Sequence, residues 1–362
     1  MAEKNFAGVN LKGKDLANED LTDADFSGAN LEGTNLIRTK LKGANLVNAN
    51  LSNTFFLEAD LSDTNLSGAI LWRTNFGDAN LSGANLSGAY LSDANLSDKN
   101  LSDATLWLTN FFNANLSGAN LSGANLSSVN PLDKNLSDVT NFSDANLSGA
   151  NLSNAKLGRA DLSGANLLNA NLSHTNLSNA DFSSADLSCA NLSNANLWNA
   201  ILWRTNLSNA DLSNARLGSA NLSNANLLNT DLSHTSLWIA NLSDADLSHA
   251  NLSNADLSNA RLESANLSNA DLLNTDLSRT NLSNANLSHA NLSDADLFRA
   301  NLFRTNFRKA QLRNSKLLNV RSVEQANFCG AKIDDNPITK DDIPADKGEY
   351  YADWHLKQKI KI

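Results

Sequence analysis

From Phe6 to Leu136 an apolar residue recurs at every fifth position, beginning Phe6, Leu11, Leu16, Leu21, Phe26. After one extra residue the series resumes at Phe142 and runs unbroken to Leu317. The two tracts hold 27 and 36 such slots, of which 54 are Leu, 8 are Phe and one is Pro131. Two residues before each central residue stands Ala, or less often Thr, and one before it stands Asn or Asp. Ser usually follows, then Asn, Asp, Gly or His. On an α-helix a step of five rotates about 140°, which would scatter the leucines over every side. In a flat strand an odd period throws successive leucines to opposite faces. Only a backbone that bends once per pentad keeps them on one side. The pattern therefore predicts an all-β solenoid, with Leu and the small residue two positions earlier pointing inward.

The first four small slots hold Lys4, Val9, Lys14 and Glu19 before the series settles to Ala24, Ala29 and Thr34. Four aberrant pentads read as one complete terminal coil, residues 4–23, whose open end lets large side chains reach water. Solenoids need such a cap because a bare end exposes core and unpaired backbone. Four pentads per coil make about 20 residues per turn.

The segments ANLSGANLSGANL (114–126) and TNLSNADLSNARL (205–217) resemble the A(D/N)LXX signature of the pentapeptide repeat proteins. The resemblance implies a right-handed quadrilateral β-helix, and about 66 pentads at four per coil then make about 16–17 coils, roughly 80 Å long at about 4.8 Å per coil. The repeat domain is expected over 1–338 and a C-terminal cap or tail, part helical, over 339–362, with Tyr350, Tyr351 and Trp354 laid on the last coil. Several members of the family dimerise through this end, so a homodimer or end-to-end contact is the competing reading of the tail. Residues 127–141 break the pattern, because Pro131 takes a central slot and Lys134 a small inward one. A lysine is not buried unpaired in an apolar column, so this irregular segment is expected to bulge or loop outward.

Composition removes several classes. With 3 Pro, 17 Gly and 2 Cys in 362 residues, the chain is neither collagen nor a disulfide scaffold. No apolar run approaches the about 18 residues of a membrane span. The start, MAEKNFAGVN, carries no apolar signal region. Two cysteines suit a reducing compartment, so a cytoplasmic location is expected. Cys189 and Cys329 lie about seven coils apart, too far for a disulfide. His174, His234, His249 and His289 sit outward on different coils without metal spacing. No phosphate-binding loop and no nucleophile–base arrangement is present, so neither enzyme activity, cofactor nor metal is expected.

The net charge is −10, but it is unevenly spread. Residues 298–321 carry +7 from Arg299, Arg304, Arg308, Lys309, Arg313, Lys316 and Arg321, while the first 298 residues carry −15. This basic collar reads either as the solvated end of the solenoid or as a docking site for an acidic partner. The fluoroquinolone-resistance branch of the family implies an alternative, an acidic mimic of B-DNA that binds DNA gyrase or topoisomerase. Its charge would have to approach one per about 1.7 Å, whereas this chain offers one per roughly 5 Å. Binding of ice or another crystal surface by Ser/Asn ladders would require an exported protein. The primary expectation is a non-enzymatic structural or interaction rod whose partner is another protein, without direct nucleic-acid binding and without a membrane span.

Large apolar groups mark that surface. Trp198, Trp238, Phe298 and Leu318 follow central residues at separations that are multiples of 20, so they fall on one side, and Trp203 and Phe303 share the adjacent side. With Arg299 and Arg304 beside Phe298 and Phe303, the candidate partner-facing residues are Trp198, Trp203, Trp238, Phe298, Phe303, Arg299 and Arg304. Whole coils separate the aromatics, so they are expected as single exposures rather than one contiguous patch. The segment 214–235 recurs at 259–280, an offset of 45, so copying followed pentads rather than sides. For most of the surface this disfavours a ligand that reads one side.

Overall fold

In the computed structural model the chain divides into two compact units, Met1–Asp186 and Leu187–Ile362. The structure describes residues 4–337 except 107–108, 110, 112–113, 117–118, 122, 128, 130–139 and 334–335. Both units use one plan, and the pentad explains it amide by amide. Leu222 N–H donates to Asn241 O one coil on (2.6 Å), and Asn224 N–H to Ser243 O (2.9 Å). Asn226 N–H donates to Thr205 O one coil back (2.9 Å), while Ala225 N–H closes a turn onto Leu222 O (3.1 Å). The fifth amide, Ser223 N–H, is taken by the side chain of Asn221 two residues earlier (3.2 Å). Every backbone donor of the pentad is thus satisfied, which buried or half-buried backbone requires.

Each residue type follows from that scheme. Asn or Asp before the centre supplies the side-chain acceptor for the fifth amide. Asn also donates to its counterpart one coil earlier, as Asn241 does to Asn221 (3.2 Å) and Asn286 to Asn266 (3.1 Å). In the described pentads the second residue after a central Leu or Phe is left-handed, for example Asn224 at φ 59° and His249 at φ 60°, except after Phe76, where Gly77 at φ 41° takes that conformation instead. That conformation is tolerated by Gly, Asn and Asp and forms the corner. The small slot leaves room at the corner, and where it holds Thr the hydroxyl is paired, as Thr230 Oγ1 with Leu207 O (2.8 Å).

Residues pair in parallel with those 20 positions later, as Asn146↔Asn166 and Asn206↔Asn226, so a coil is four pentads. Among the described residues the central Leu and Phe and the Ala and Thr two before them are buried from Leu21 onward. Lys4, Val9, Lys14 and Glu19 are exposed in the first coil. In one inward slot Lys99 stands between Ala79 and Ala119; its side chain is 11% exposed and its ammonium lies 3.5 Å from Asp78.

Across the irregular segment the pairing step changes. Asn115 pairs with Asn141, Asn120 with Asn146 and Asn125 with Asn151. The step is 26 in place of 20, so this coil is six residues longer than its neighbours. The extra length is one pentad plus one residue, not the single residue that the spacing of leucines suggests. Residues 130–139, with Pro131 and Lys134, lie outside the described residues. At the other end a 3₁₀ turn, Val323–Gln325, takes up one residue, and Asn306 pairs with Asn327. Parallel pairing gives way to an antiparallel pair, Lys332–Ile333 with Asn336–Pro337. The expected cap at 339–362 lies outside the described residues.

Candidate interaction surface

Within the second unit, Trp198, Trp238 and Trp203 follow three central leucines and so point outward. The side chains at 198 and 238 are not isolated as expected. Their rings stack with centroids 6.0 Å apart and an interplanar angle of 27°. The coil between them carries Gly218 where Ser is usual, and a Cβ there would overlap the Trp198 ring. A large side chain at this position lies over the next coil, and glycine makes the room. Leu57 lies over Gly77 in the first unit in the same way.

The corner beside the stacked pair adds further apolar groups. Ile239, directly after Trp238, is exposed and left-handed at φ 52°. Across the corner from Trp198 stands Ile201, also exposed, with Trp203 on the same side of the same coil. The Arg204 guanidinium lies 4.3 Å from the Trp203 ring centroid. Arg216 is exposed between Asn196 and Ser236 in the ladder beside Gly218. Among the described residues neither Arg204 nor Arg216 has a carboxylate partner. The result is a group of exposed apolar side chains on neighbouring coils of the second unit, with two guanidiniums that have no carboxylate partner among the described residues, on a predominantly acidic chain.

The other four candidates are placed differently. Ser258 and Ser278 occupy the coils between Trp238 and Phe298, and Ser223, Ser243, Glu263 and Ser283 those between Trp203 and Phe303. Phe298 and Phe303 are half-buried and do not join the tryptophan patch. Arg299 and Arg304 each lie 5.0 Å over the ring of the preceding Phe. Arg304 also donates to Gln325. In the same basic region Ser293, Lys309, Gln311, Arg313 and Lys332 line a cleft of about 690 Å³.

A second cluster was not found from the leucine spacing. Phe55, Leu57, Ile70, Trp72 and Tyr90 are all exposed in the first unit, and Ile70 pairs with Tyr90 in the ladder. Trp72 Nε1 donates to Asp93 (3.0 Å), and the Arg73 guanidinium lies 4.6 Å from the Trp72 centroid. Beside Leu57, Arg38 donates twice to Glu58 (2.8 and 3.1 Å), which lowers the Glu58 carboxyl and raises the guanidinium. The signal lay one position before the centre, where Phe55, Ile70, Tyr90 and Ile201 replace Asn or Asp. None of the four offers the side-chain acceptor, so the amides of Leu57, Trp72, Ser92 and Trp203 make no hydrogen bond among the described residues.

Among the described residues no group of three or more His, Cys, Asp or Glu is placed to hold a metal ion. Cys189 and Cys329 are free thiols, and no described helix is long and apolar enough to cross a membrane.

The family model of pentapeptide repeats matches residues 5–56, 59–127, 140–238 and 240–319. Among solved structures the chain is similar to HetL, a pentapeptide repeat protein involved in heterocyst differentiation regulation from Nostoc sp. strain PCC 7120. Identity is 30% over 69% of this chain and 92% of HetL, with a TM-score of 0.26. A pentapeptide repeat protein of the Arabidopsis thaliana thylakoid lumen is 29% identical over 36% of this chain and 72% of its own, with a TM-score of 0.23. QnrB1, a plasmid-mediated fluoroquinolone resistance protein, is 20% identical over 58% of this chain and 88% of its own, with a TM-score of 0.30. No curated protein matches the chain.

Proposed function

The chain belongs to the pentapeptide repeat family, and we propose that it is a non-enzymatic interaction scaffold that presents a regular solenoid surface to another protein. We take its coils to wind right-handed, as the resemblance implies, and to number about 16–17, as the count of pentads gives, and its two free thiols to suit a reducing, cytoplasmic setting. One observation carries the reading: Trp198, Ile201, Trp203, Trp238 and Ile239 stand exposed together where the pentad places polar residues. Exposed apolar groups that form a patch mark interaction sites, and Trp and Arg are favoured anchors there. Phe298, Phe303, Arg299 and Arg304 are the partner-facing candidates of the basic collar, apart from the tryptophan patch. That collar supplies a second contact, to an acidic partner or to another copy's acidic flank.

The acidic DNA mimic is the weaker reading. The first 298 residues carry −15, or about one net charge per coil of about 4.8 Å, roughly a third of the density of duplex DNA. A supercoiling assay with gyrase and the purified protein separates the two. The scaffold reading expects no inhibition. The direct test replaces Trp198, Trp203 and Trp238 by Ser and Ile201 by Asn, the usual residues at those positions. Circular dichroism should be retained, while proteins co-precipitated from native lysate by the parent chain should be lost. Recovery of the same proteins by the variant contradicts the reading.

A further inference from the structure

The heptad Ala-Ile-Leu-Trp-Arg-Thr-Asn occurs twice without change, at 69–75 and at 200–206. Its flanks differ: LSG precedes and FGDAN follows the first copy, LWN precedes and LSNAD follows the second. Three positions depart from the usual pentad in both copies. Ile70 and Ile201 replace the Asn or Asp that accepts the fifth amide. Trp72 and Trp203 replace Ser. Arg73 and Arg204 take the corner at φ 54° and 56°, where Gly, Asn and Asp are at ease.

The two copies also share a geometry. Ile70 and Ile201 are 42% and 40% exposed, and Trp72 and Trp203 are 41% and 37% exposed. The guanidiniums of Arg73 and Arg204 lie 4.6 and 4.3 Å from their ring centroids. Among the described residues neither guanidinium has a carboxylate partner. Each site therefore carries an exposed isoleucine two residues before an exposed indole, with an arginine laid on the indole; at the first site the indole N–H also donates to Asp93, where the second has Asn224. The ring holds the guanidinium in place by cation–π attraction, and both arginines are exposed. Three substitutions that each forgo a local stabilising feature, made together in both units, are not accounted for by the solenoid itself.

We propose that these are two equivalent recognition sites, one in each unit, and that the chain binds two copies of the same acidic–apolar peptide segment. The proposal rests on the scaffold reading and supplies its partner chemistry and stoichiometry. The segment places an aliphatic or aromatic side chain against the Ile and Trp, and a carboxylate on the Arg. Charge selects the carboxylate, because a guanidinium held over a ring pairs with it in bidentate fashion. Two sites on one chain raise the apparent affinity for a partner displayed in several copies, by about 10²–10⁴-fold when both engage.

The test selects peptides from a random library on the full-length protein and measures the enriched peptide, fluorescein-labelled, by anisotropy and calorimetry. The expected peptide carries Asp or Glu near an apolar residue and binds two per chain. Trp72→Ser and Trp203→Ser should each leave one site, and together none. Arg73→Gln and Arg204→Gln should weaken their own site about tenfold. Selection of basic or uncharged peptides, a stoichiometry of one, or binding that survives the double Trp variant overturns the proposal. The lysate co-precipitation by the Trp198, Ile201, Trp203 and Trp238 variant is scored separately. Loss of partners there with a single peptide site would leave the scaffold reading standing and the paired sites refuted.

Discussion

At the residue scale, the deviations from the pentad have physical consequences that stability can report. Among the described residues with left-handed φ, Ile239 is the one β-branched side chain. Branching at Cβ crowds the following carbonyl in that region, so it costs about 1–2 kcal/mol relative to a residue that fits. Ile239→Asn should therefore stabilise the second unit by about 1 kcal/mol, read as a higher midpoint in urea unfolding. An unchanged or lower midpoint would show that the corner there is not strained. Lys99 is the comparable misfit of the inward slot. Its pairing with Asp78 leaves the carboxylate 80% exposed, so removing the lysine strands no buried charge. Lys99→Ala should raise the midpoint of the first unit, and a lower midpoint would show that the ion pair outweighs desolvation of the ammonium.

At the level of the coil, glycine and aspartate positions give separable tests. Gly218→Ser restores the usual residue but displaces the Trp198 ring from the coil that it covers. The near-ultraviolet circular dichroism of the stacked indoles should collapse while the far-ultraviolet signal holds. A retained couplet would mean that the rings stack without the glycine gap. In the first coil, the Thr22 amide and hydroxyl, then Lys4, hold the Asp20 carboxyl at about 2, below its ordinary 3.8. A depressed folded value contributes stability that is present above the unfolded value and lost as pH falls through the folded one. The first coil should loosen between about pH 4 and about pH 2, and the Thr22 amide resonance should titrate with a midpoint near 2. A midpoint at 3.8 would refute the contact.

Much of this scale was legible in the sequence. The inward Leu and Ala follow from a period of five in a backbone that must bend once per pentad, and the four-sided coil from the run of four aberrant inward slots, Lys4, Val9, Lys14 and Glu19. The length of the coil across 130–139 was not, because leucine spacing fixes phase within a pentad but not which pentad faces which. Nor was the contact of Trp198 with Trp238, which depends on a side chain lying along the solenoid axis over Gly218. The cluster around Ile70 and Tyr90 was visible in principle, at the position before each centre rather than the one after it.

At the scale of the whole molecule, a repetitive surface acquires function where it stops repeating. The Asn and Ser columns carry no information that distinguishes one coil from the next, and −15 over the first 298 residues mainly favours solubility. Two copies of Ala-Ile-Leu-Trp-Arg-Thr-Asn, one in each unit, and the tryptophan pair beside the second depart from that monotony together. They also leave a kinetic mark, because the amides of Trp72 and Trp203 lack the side-chain acceptor that protects their counterparts, such as Ser223. Hydrogen–deuterium exchange of the full chain, free and bound to the selected acidic–apolar peptide, is the most direct test of the interaction account. The amides of Trp72 and Trp203 should exchange faster than that of Ser223 in the free protein and slow on binding, while the uniform Ser/Asn faces stay unchanged. Protection confined to those uniform faces or to the chain ends, with none at Trp72 and Trp203, would contradict it.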